Sequence, residues 1–487
     1  MQTEAALNLT VLKQMLEKIE MAPGKSFFDD GVLYYTNVPD FEDLARLRFL
    51  FGREISFRQS EADKVSSLLK FWRAELSPRF EEQSEDVSTL LEGAEDWTDL
   101  DSEKPIIQLV NHLFTRAFDL NASDIHFEPT EDDFEVRCRV DGIMTCIEKL
   151  PISIQSAVTS RLKLMARMDI GEKRLPQDGR IDHRIGSRQL DMRVSTLPGV
   201  LGESVVLRIL DRQDLSIDLT ELGMPQHVLA KYTEAITQPH GLILITGPTG
   251  SGKTTTLYGT LEKITDEKRK VITVEDPVEY QLDGVTQIQV NPKIGLSFAN
   301  GLRSIVRQDP DIMMIGEIRD HETAEIAIES ALTGHLVFST LHTNDSAGAV
   351  TRLQDMGIEG YLITSSVLAI QAQRLIRRVC KSCSTVVALT DDERQILELE
   401  PGVVSQVSRG TGCEACAGTG YKGRIGLYEL LPLSNEIRHI INTGGDAGMI
   451  REQARKEGMT TLREDALSKL QQGMTTPEEV VRVTRAI

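Results

Sequence analysis

Cysteine is scarce in this chain, basic charge is in deficit, and no long apolar run occurs anywhere in its 487 residues. Each shortage excludes something. With 54 Lys and Arg against 74 Asp and Glu the net charge is −20, and so acidic a surface argues against nucleic acid as a partner. Aromatics make up 5% of the chain, too few for the stacking tracks of single-strand motors. No segment approaches the ~18 apolar residues of a membrane span. The start, MQTEAALNLTVLKQMLEKIE, lacks a basic region leading into an apolar one. The reading is a cytosolic chain whose membrane association runs through partners. Of the six cysteines, four form two CxxC pairs, which in a reducing compartment point to metal rather than disulfides.

Length alone suggests about three domains, and the pattern divides the chain more finely. Glu81 to Glu103 holds ten acidic residues and no Lys or Arg, a composition that repels itself into an extended linker, taken as 81–104. Before it, residues 1–80 carry DFEDLARLRFLFGREI and ADKVSSLLKFWRAEL, whose spacing fits short helices and two strands. Residues 105–215 read as a helix-plus-sheet domain. PIIQLVNHLFTRAFDL and SAVTSRLKLMARMDI have helical periodicity, FEVRCRVDGIMTCIEKL alternates about an Asp141-Gly142 turn, and QLDMRVSTLPGVLGESVVLRILD reads as a further strand pair. Cys138 and Cys146, across that turn, are expected to be buried free thiols. In 216–379 the texture changes to continuous apolar strands (GLILITG, KVITVED, IMMIGEI, HLVFSTL) alternating with helices such as TAEIAIESAL. That texture implies an α/β domain whose parallel sheet is covered on both faces. A cysteine module at 380–423 and C-terminal helices at 424–487 complete the expected order.

The chemistry is concentrated in a few short stretches. Gly247-Pro248-Thr249-Gly250-Ser251-Gly252-Lys253-Thr254, followed by Thr255, matches G-x-x-x-x-G-K-[ST] between the strand GLILIT and the helix TTTLYGTLEKI. Glycines let successive N–H groups curl toward phosphate oxygens, Lys253 adds a point charge near the β/γ-phosphates, and Thr254 offers a hydroxyl to Mg²⁺. ATP and Mg²⁺ are therefore the expected ligands. Glu275 with Asp276 in VITVEDPVEY and Glu317 in DIMMIGEIRD end buried strands downstream. In open parallel sheets such positions converge on the phosphate loop, although a strand-end carboxylate also serves to cap a helix. His335 and His342 flank the strand LVFSTL; either can sense a γ-phosphate by hydrogen bonding, or act as a satisfied structural histidine. Cys380, Cys383, Cys413 and Cys416 have the spacing of a tetrahedral structural zinc site (Zn²⁺), with a redox dithiol or an iron–sulfur cluster as the alternatives.

GPTGSGKTTTLY, VEDPVEY, GLRSIVRQDPDIMMIGEIRD, TGHLVFSTLHTN, the paired CxxC motifs and the upstream ASDIHFEP and KRLPQDGRI together resemble the secretion ATPases of type II secretion and type IV pilus systems. The likeness runs from about Pro105 to Arg438. It implies an α/β architecture: a RecA-like P-loop ATPase domain, preceded by a PAS-like α+β domain and followed by the zinc module. RMDIGEKRLPQDGRI and RLQDMGIEGYLITSSVLAIQAQRLIRRVC look closer to the type II branch. In the family's terms the motifs are the Walker A loop, Asp box, atypical Walker B and His box, with Glu317 where Asp is usual. Arg193 and Arg208 match family arginines that reach from the PAS-like domain to the nucleotide. The resemblance further implies a homohexamer working with an inner-membrane platform protein and a membrane-anchored partner, with residues 1–80 as a small partner-docking domain.

Overall fold

The computed structural model describes residues 26–29, 32–35, 56–59, 103–185, 188–211, 218–399 and 404–485, and the chain divides into two units, residues 1–96 and 97–487. The first contains a sheet of β1 (Ser26–Asp29), β2 (Val32–Tyr35) and β3 (Ser56–Gln59), antiparallel then parallel. The helices expected in 1–80, and the acidic stretch as far as residue 102, lie outside the described residues.

The second unit opens with helix α1 (Glu103–Asp119). Strands β4 (Ala122–Pro129), β5 (Asp133–Val140) and β6 (Ile143–Pro151) follow, then α2 (Gln155–Met165), β7 (Gln177–Ile185), β8 (Arg188–Gly199) and β9 (Gly202–Asp211). The six strands of this domain pair antiparallel in the order β6-β5-β4-β9-β8-β7. Asp141 and Gly142 both adopt positive φ, +49° and +85°, the twist-matched turn that an Asp-Gly pair favours. The two thiols of this hairpin separate. Cys138 lies in the core with Phe134 and Val136, whereas Cys146 sits opposite Arg137 and is exposed. The expectation that both are buried fails for Cys146, because the register puts it on the polar face.

The nucleotide-fold half begins with α3 (Gln226–Ile236), β10 (Gly241–Thr246), α4 (Lys253–Ile264), β11 (Val271–Glu275) and β12 (Val285–Gln289). It continues through α5 (Phe298–Ile305), β13 (Ile312–Ile315), α6 (His321–Leu332), β14 (Leu336–Leu341), α7 (Ser346–Asp355), α8 (Gly360–Ser366) and β15 (Val367–Val379). The cysteine-bearing segment holds β16 (Ser384–Ala388), α9 (Asp391–Ile396) and β17 (Gln406–Gly410), and the chain then returns through β18 (Tyr421–Pro432). Four helices close it: α10 (Asn435–Asn442), α11 (Ala447–Lys456), α12 (Leu462–Gln471) and α13 (Pro477–Thr484).

The main sheet runs β12-β11-β13-β14-β10-β15-β18, all neighbours parallel except the last pair. Its strands are apolar throughout because both faces are covered. Leu242, Leu244, Ile272, Val274, Met313 and Ile315 enter one core, while the alternate residues Ile243, Ile245, Val271, Ile312 and Met314 enter the other. The segment expected to be helical from 424 instead opens with the edge strand β18. It pairs with β15 from Ala369↔Pro432 to Val379↔Tyr421, so the sheet is mixed. Glu429 of that strand, 2% exposed, accepts the N–H groups of Ser346 (3.0 Å) and Leu462 (3.3 Å), the first residues of α7 and α12. A carboxylate there answers two helix dipoles at once.

A second buried acid ties α13 to the sheet. Glu479, 1% exposed, accepts from the Arg377 N–H (3.1 Å) and the Arg377 and Arg482 guanidiniums (2.7 Å each). Burial acts to raise its pKa, but these donors outweigh burial and hold the carboxyl down at about 2, against an ordinary 4.5. A depressed native pKa contributes stability above the unfolded value and loses it as pH falls through the native one. At about 1.4 kcal/mol per unit the contribution is of order 3 kcal/mol. Glu479→Gln should therefore lower the melting temperature at pH 7, with the gap to wild type narrowing as pH falls from about 4.5 toward about 2. Circular dichroism melts across that range check it; a gap that stays constant with pH would assign the loss to packing.

Candidate functional site

Parallel strands place all their carboxyl ends at one edge of the sheet, and the phosphate loop leaves β10 at that edge. Gly250 and Gly252 adopt φ of +76° and +86°, which other residues reach only with strain. A Cβ on Gly252 would also lie 2.8 Å from Gln373 Nε2 on β15. Lys253 starts α4 and donates to the carbonyls of Gly247 (2.7 Å) and Pro248 (3.1 Å). Burial pulls its pKa down to about 8, with Glu317 opposing and Arg374 assisting. The Ser251 hydroxyl is buried without a partner, and Thr249 and Thr254 are exposed. Unfilled donors around a half-buried lysine fit a polyphosphate, with Thr254 open to a metal ion.

Glu317 follows β13 at the same edge. Its carboxylate pairs with Arg319 and with His342 Nε2 (3.2 Å), which follows β14. Glu317 and His342 thus stand together at the edge where the phosphate loop begins. The next residues of that loop are tied one by one. Thr343 bonds the Thr246 hydroxyl at 2.7 Å, Asn344 Oδ1 accepts from Arg374 at 2.9 Å, and Asp345 pairs with Arg451 of α11.

Glu275 is placed differently from its partner acid. It ends β11 at 3% exposed, and its oxygens accept from Tyr258 of α4, from Thr273 (2.5 Å) and from Gln287 of β12 (3.2 Å). It is a network member directed into the fold. Asp276 and Glu279, the other two acids of VEDPVEY, are both exposed, and Glu279, at 38% side-chain exposure, pairs at 3.7 Å with Arg193. Sequence reasoning passed over Glu279; the signal was a third acid two residues past Pro277, beyond the end of the buried strand.

His335 is misplaced in the sequence reading. Leu336 pairs with Gly241 and Leu341 with Thr246, so His335 precedes β14 at the amino edge, about 20 Å of strand from the loop at ~3.3 Å per residue. There its ring bonds the Ser330 carbonyl at 2.9 Å, a structural role. Arg193 and Arg208 are direct cross-strand partners on β8 and β9 with different destinations. Arg193 reaches the segment after β11, at Glu279 and the Val278 carbonyl (3.5 Å). Arg208 stays within its own sheet, on Asp124 at 3.1 Å.

The four cysteines of the two CxxC pairs converge between the end of β15 and the start of β18, their Sγ atoms all within 4.8 Å of one another. Cys380–Cys413 and Cys383–Cys416 are 3.9 Å apart and Cys413–Cys416 3.7 Å. Four sulfurs about 2.3 Å from a tetrahedral ion stand about 3.8 Å apart, so this cluster is compatible with a metal site. The N–H groups of Cys413 (3.2 Å) and Gly420 (3.3 Å) point at the Cys416 sulfur, the donor shell a bound thiolate needs.

Against known proteins, the sequence model of the family described as type II/IV secretion system protein matches residues 99–482. The chain belongs to that family. This secretion ATPase is 46% identical over 464 residues to type II secretion system protein E of Xanthomonas campestris pv. campestris, covering 93% of this chain and 82% of that one. It is 43% identical over 447 residues to the type IV pilus assembly ATPase PilB of Myxococcus xanthus, with 89% and 79% covered. In fold it is similar to the Legionella pneumophila ATPase DotB, with a TM-score of 0.57 at 23% identity, covering 78% of this chain and 96% of that one. Among the described residues no helix is long and apolar enough to cross a membrane. Family and loop together make this secretion ATPase an enzyme that hydrolyses ATP.

Proposed function

We propose that the chain is the cytoplasmic motor of a type II secretion system, a homohexamer whose Mg-ATP hydrolysis drives addition of pseudopilin subunits through an inner-membrane platform protein. What carries this reading is the loop Gly247–Thr254 set beside Glu317 and His342 at one sheet edge, in a chain 46% identical to a type II secretion system protein E over 93% of its length. A membrane-anchored partner would hold it peripherally at the inner membrane. Type IV pilus assembly is the second reading, favoured by the 43% identity to PilB.

The roles follow from position. Residues Gly247 to Thr255 cradle the phosphates, and Lys253 exchanges its two carbonyls for phosphate oxygens. Thr254 and Glu317 would hold Mg²⁺, which when bound neutralises charge on the phosphates. His342 orients Glu317, and Arg319 balances it. Glu279 takes the role of base toward the attacking water in preference to Glu275, because Glu275 is committed to three donors inside the fold while Glu279 is accessible and positioned from the other domain by Arg193. Arg208 acts by holding the sheet that presents Arg193. Zinc is the metal assigned to Cys380, Cys383, Cys413 and Cys416, closing a loop-rich module that buries little apolar surface of its own.

Turnover measured with Lys253→Ala, Glu279→Gln and Glu275→Gln tests the site. The first two should fall about 10²-fold or more, with Glu279→Gln still binding nucleotide. Glu275→Gln should keep most of its rate and lose melting temperature instead; the opposite order would return the base to Glu275. Elemental analysis should give one zinc per chain, and iron or no metal after reducing purification would refute that assignment. Turnover should rise with the platform protein's cytoplasmic domain and ignore single-stranded DNA. Stimulation by DNA alone would overturn the secretion reading.

A further inference from the structure

Lys253 is not the sole cation at the phosphate loop. Arg374 extends from β15 one residue beyond Gln373, past Ala372, which pairs with the last residue of β10, Thr246. It therefore stands at the edge where the loop begins. The Lys253 ammonium feels it as a like charge. Arg374 is half-buried, and burial lowers its own pKa. Its Nη2 donates to Asn344, to Oδ1 at 2.9 Å and to the carbonyl at 3.4 Å. Its Nε is buried with no hydrogen-bond partner, and it forms no ion pair among the described residues. Asp345, the acid whose charge it feels, is engaged with Arg451 and with the Gly348 N–H.

Two cations at a partly desolvated edge are costly unless anions offset them; Glu317 acts on Lys253 and Asp345 on Arg374, and a phosphate would join the two. Asn344 comes two residues after His342, which sits on Glu317, so Arg374 is anchored on the side of the loop where the acid and the histidine lie. The free Nε beside an Nη leaves one edge of the guanidinium fork unfilled, the geometry that takes two oxygens of one phosphate.

We propose that Arg374 is a further substrate-binding residue of this ATPase, closing on the terminal phosphate from the same chain as Lys253 and so distinguishing the triphosphate from the diphosphate. The proposal rests on the nucleotide site described above. It gives the chain a cation within the ATPase domain itself, independent of Arg193 on the preceding domain.

The test measures binding of ADP and of a non-hydrolysable ATP analogue, each with Mg²⁺, to the full chain, together with kcat and KM. The variants are wild type, Arg374→Ala and Arg374→Lys. Arg374→Ala should weaken the analogue by roughly tenfold or more and leave ADP within about twofold, with a matching fall in kcat/KM. Arg374→Lys should fall between, since it keeps the charge and loses the fork. Equal weakening of both nucleotides, or none of either, would overturn the proposal and leave Arg374 as a support for Asn344. Should the alanine variant fail to fold, the lysine variant decides by the same ratio. A wild-type chain that binds ADP while the ratio stays flat sinks this inference alone; one that binds neither nucleotide sinks the site reading with it.

Discussion

Parallel hydrogen bonding between β11, β13, β14, β10 and β15 is the constraint on which the chemistry depends. Strands that all run one way deliver every carboxyl end to one edge, so the residues that follow them meet without any being near in sequence. Gly247 after β10, Glu317 after β13 and His342 after β14 share that edge for this reason. His335, six residues earlier in the same segment as Leu341, is at the opposite edge by the same rule. Continuous apolar strands supply the energy, since each residue of β10 is buried on one face or the other and a fully buried branched side chain is worth about 1.5–3 kcal/mol.

A fold this apolar can keep acids inside only by surrounding them with donors. Glu275, Glu429 and Glu479 each accept from three or more groups. A buried carboxylate with such a shell is structural, because a base must have an oxygen free for a proton. Glu317 is intermediate, with two basic partners and 17% side-chain exposure. Glu279 is exposed, as is Asp276, and its partner comes from another domain. The gradient of enclosure from Glu275 to Glu279 sorts the acids of the Asp box more decisively than their order along the chain.

What could be read from the chain beforehand follows the range of the interactions involved. The phosphate loop, the Asp141-Gly142 turn and the cysteine pairs are legible because their geometry is local: a glycine spacing, a dipeptide, a CxxC knuckle. The alternating strands of 105–215 and the apolar strands of 216–379 were legible through their periods of burial. Which way Glu275 points was not, since Tyr258 and Gln287 come from α4 and β12, and no spacing in VITVEDPVEY reports them. The edge strand β18 was hidden for a related reason. Its buried run from Ile425 to Leu431 does not announce that its partner is β15, on the far side of the cysteine module. Cys146 and Cys138 differ by a register that only pairing fixes.

The loop from His342 to Ser346 shows how a change at the phosphates would be felt elsewhere. His342 holds Glu317, Thr343 holds the end of β10, Asn344 holds Arg374, Asp345 holds Arg451 on α11, and Ser346 is held by Glu429 on β18. Five consecutive residues thus bind five separate elements, so none can move alone without breaking a polar contact of its own, each worth about 1 kcal/mol and more where charged. The first three partners lie around the phosphate loop and the last two lie on the C-terminal helices and the returning edge strand. A segment with that division of contacts must transmit force if the nucleotide end rearranges, because its own backbone is short and its anchors are fixed at both ends. Hydrogen bonds and ion pairs therefore join the phosphate edge to the C-terminal helices in addition to the apolar core, which Ile450, Ala454 and Met459 share with Leu244, Ile315 and Leu341.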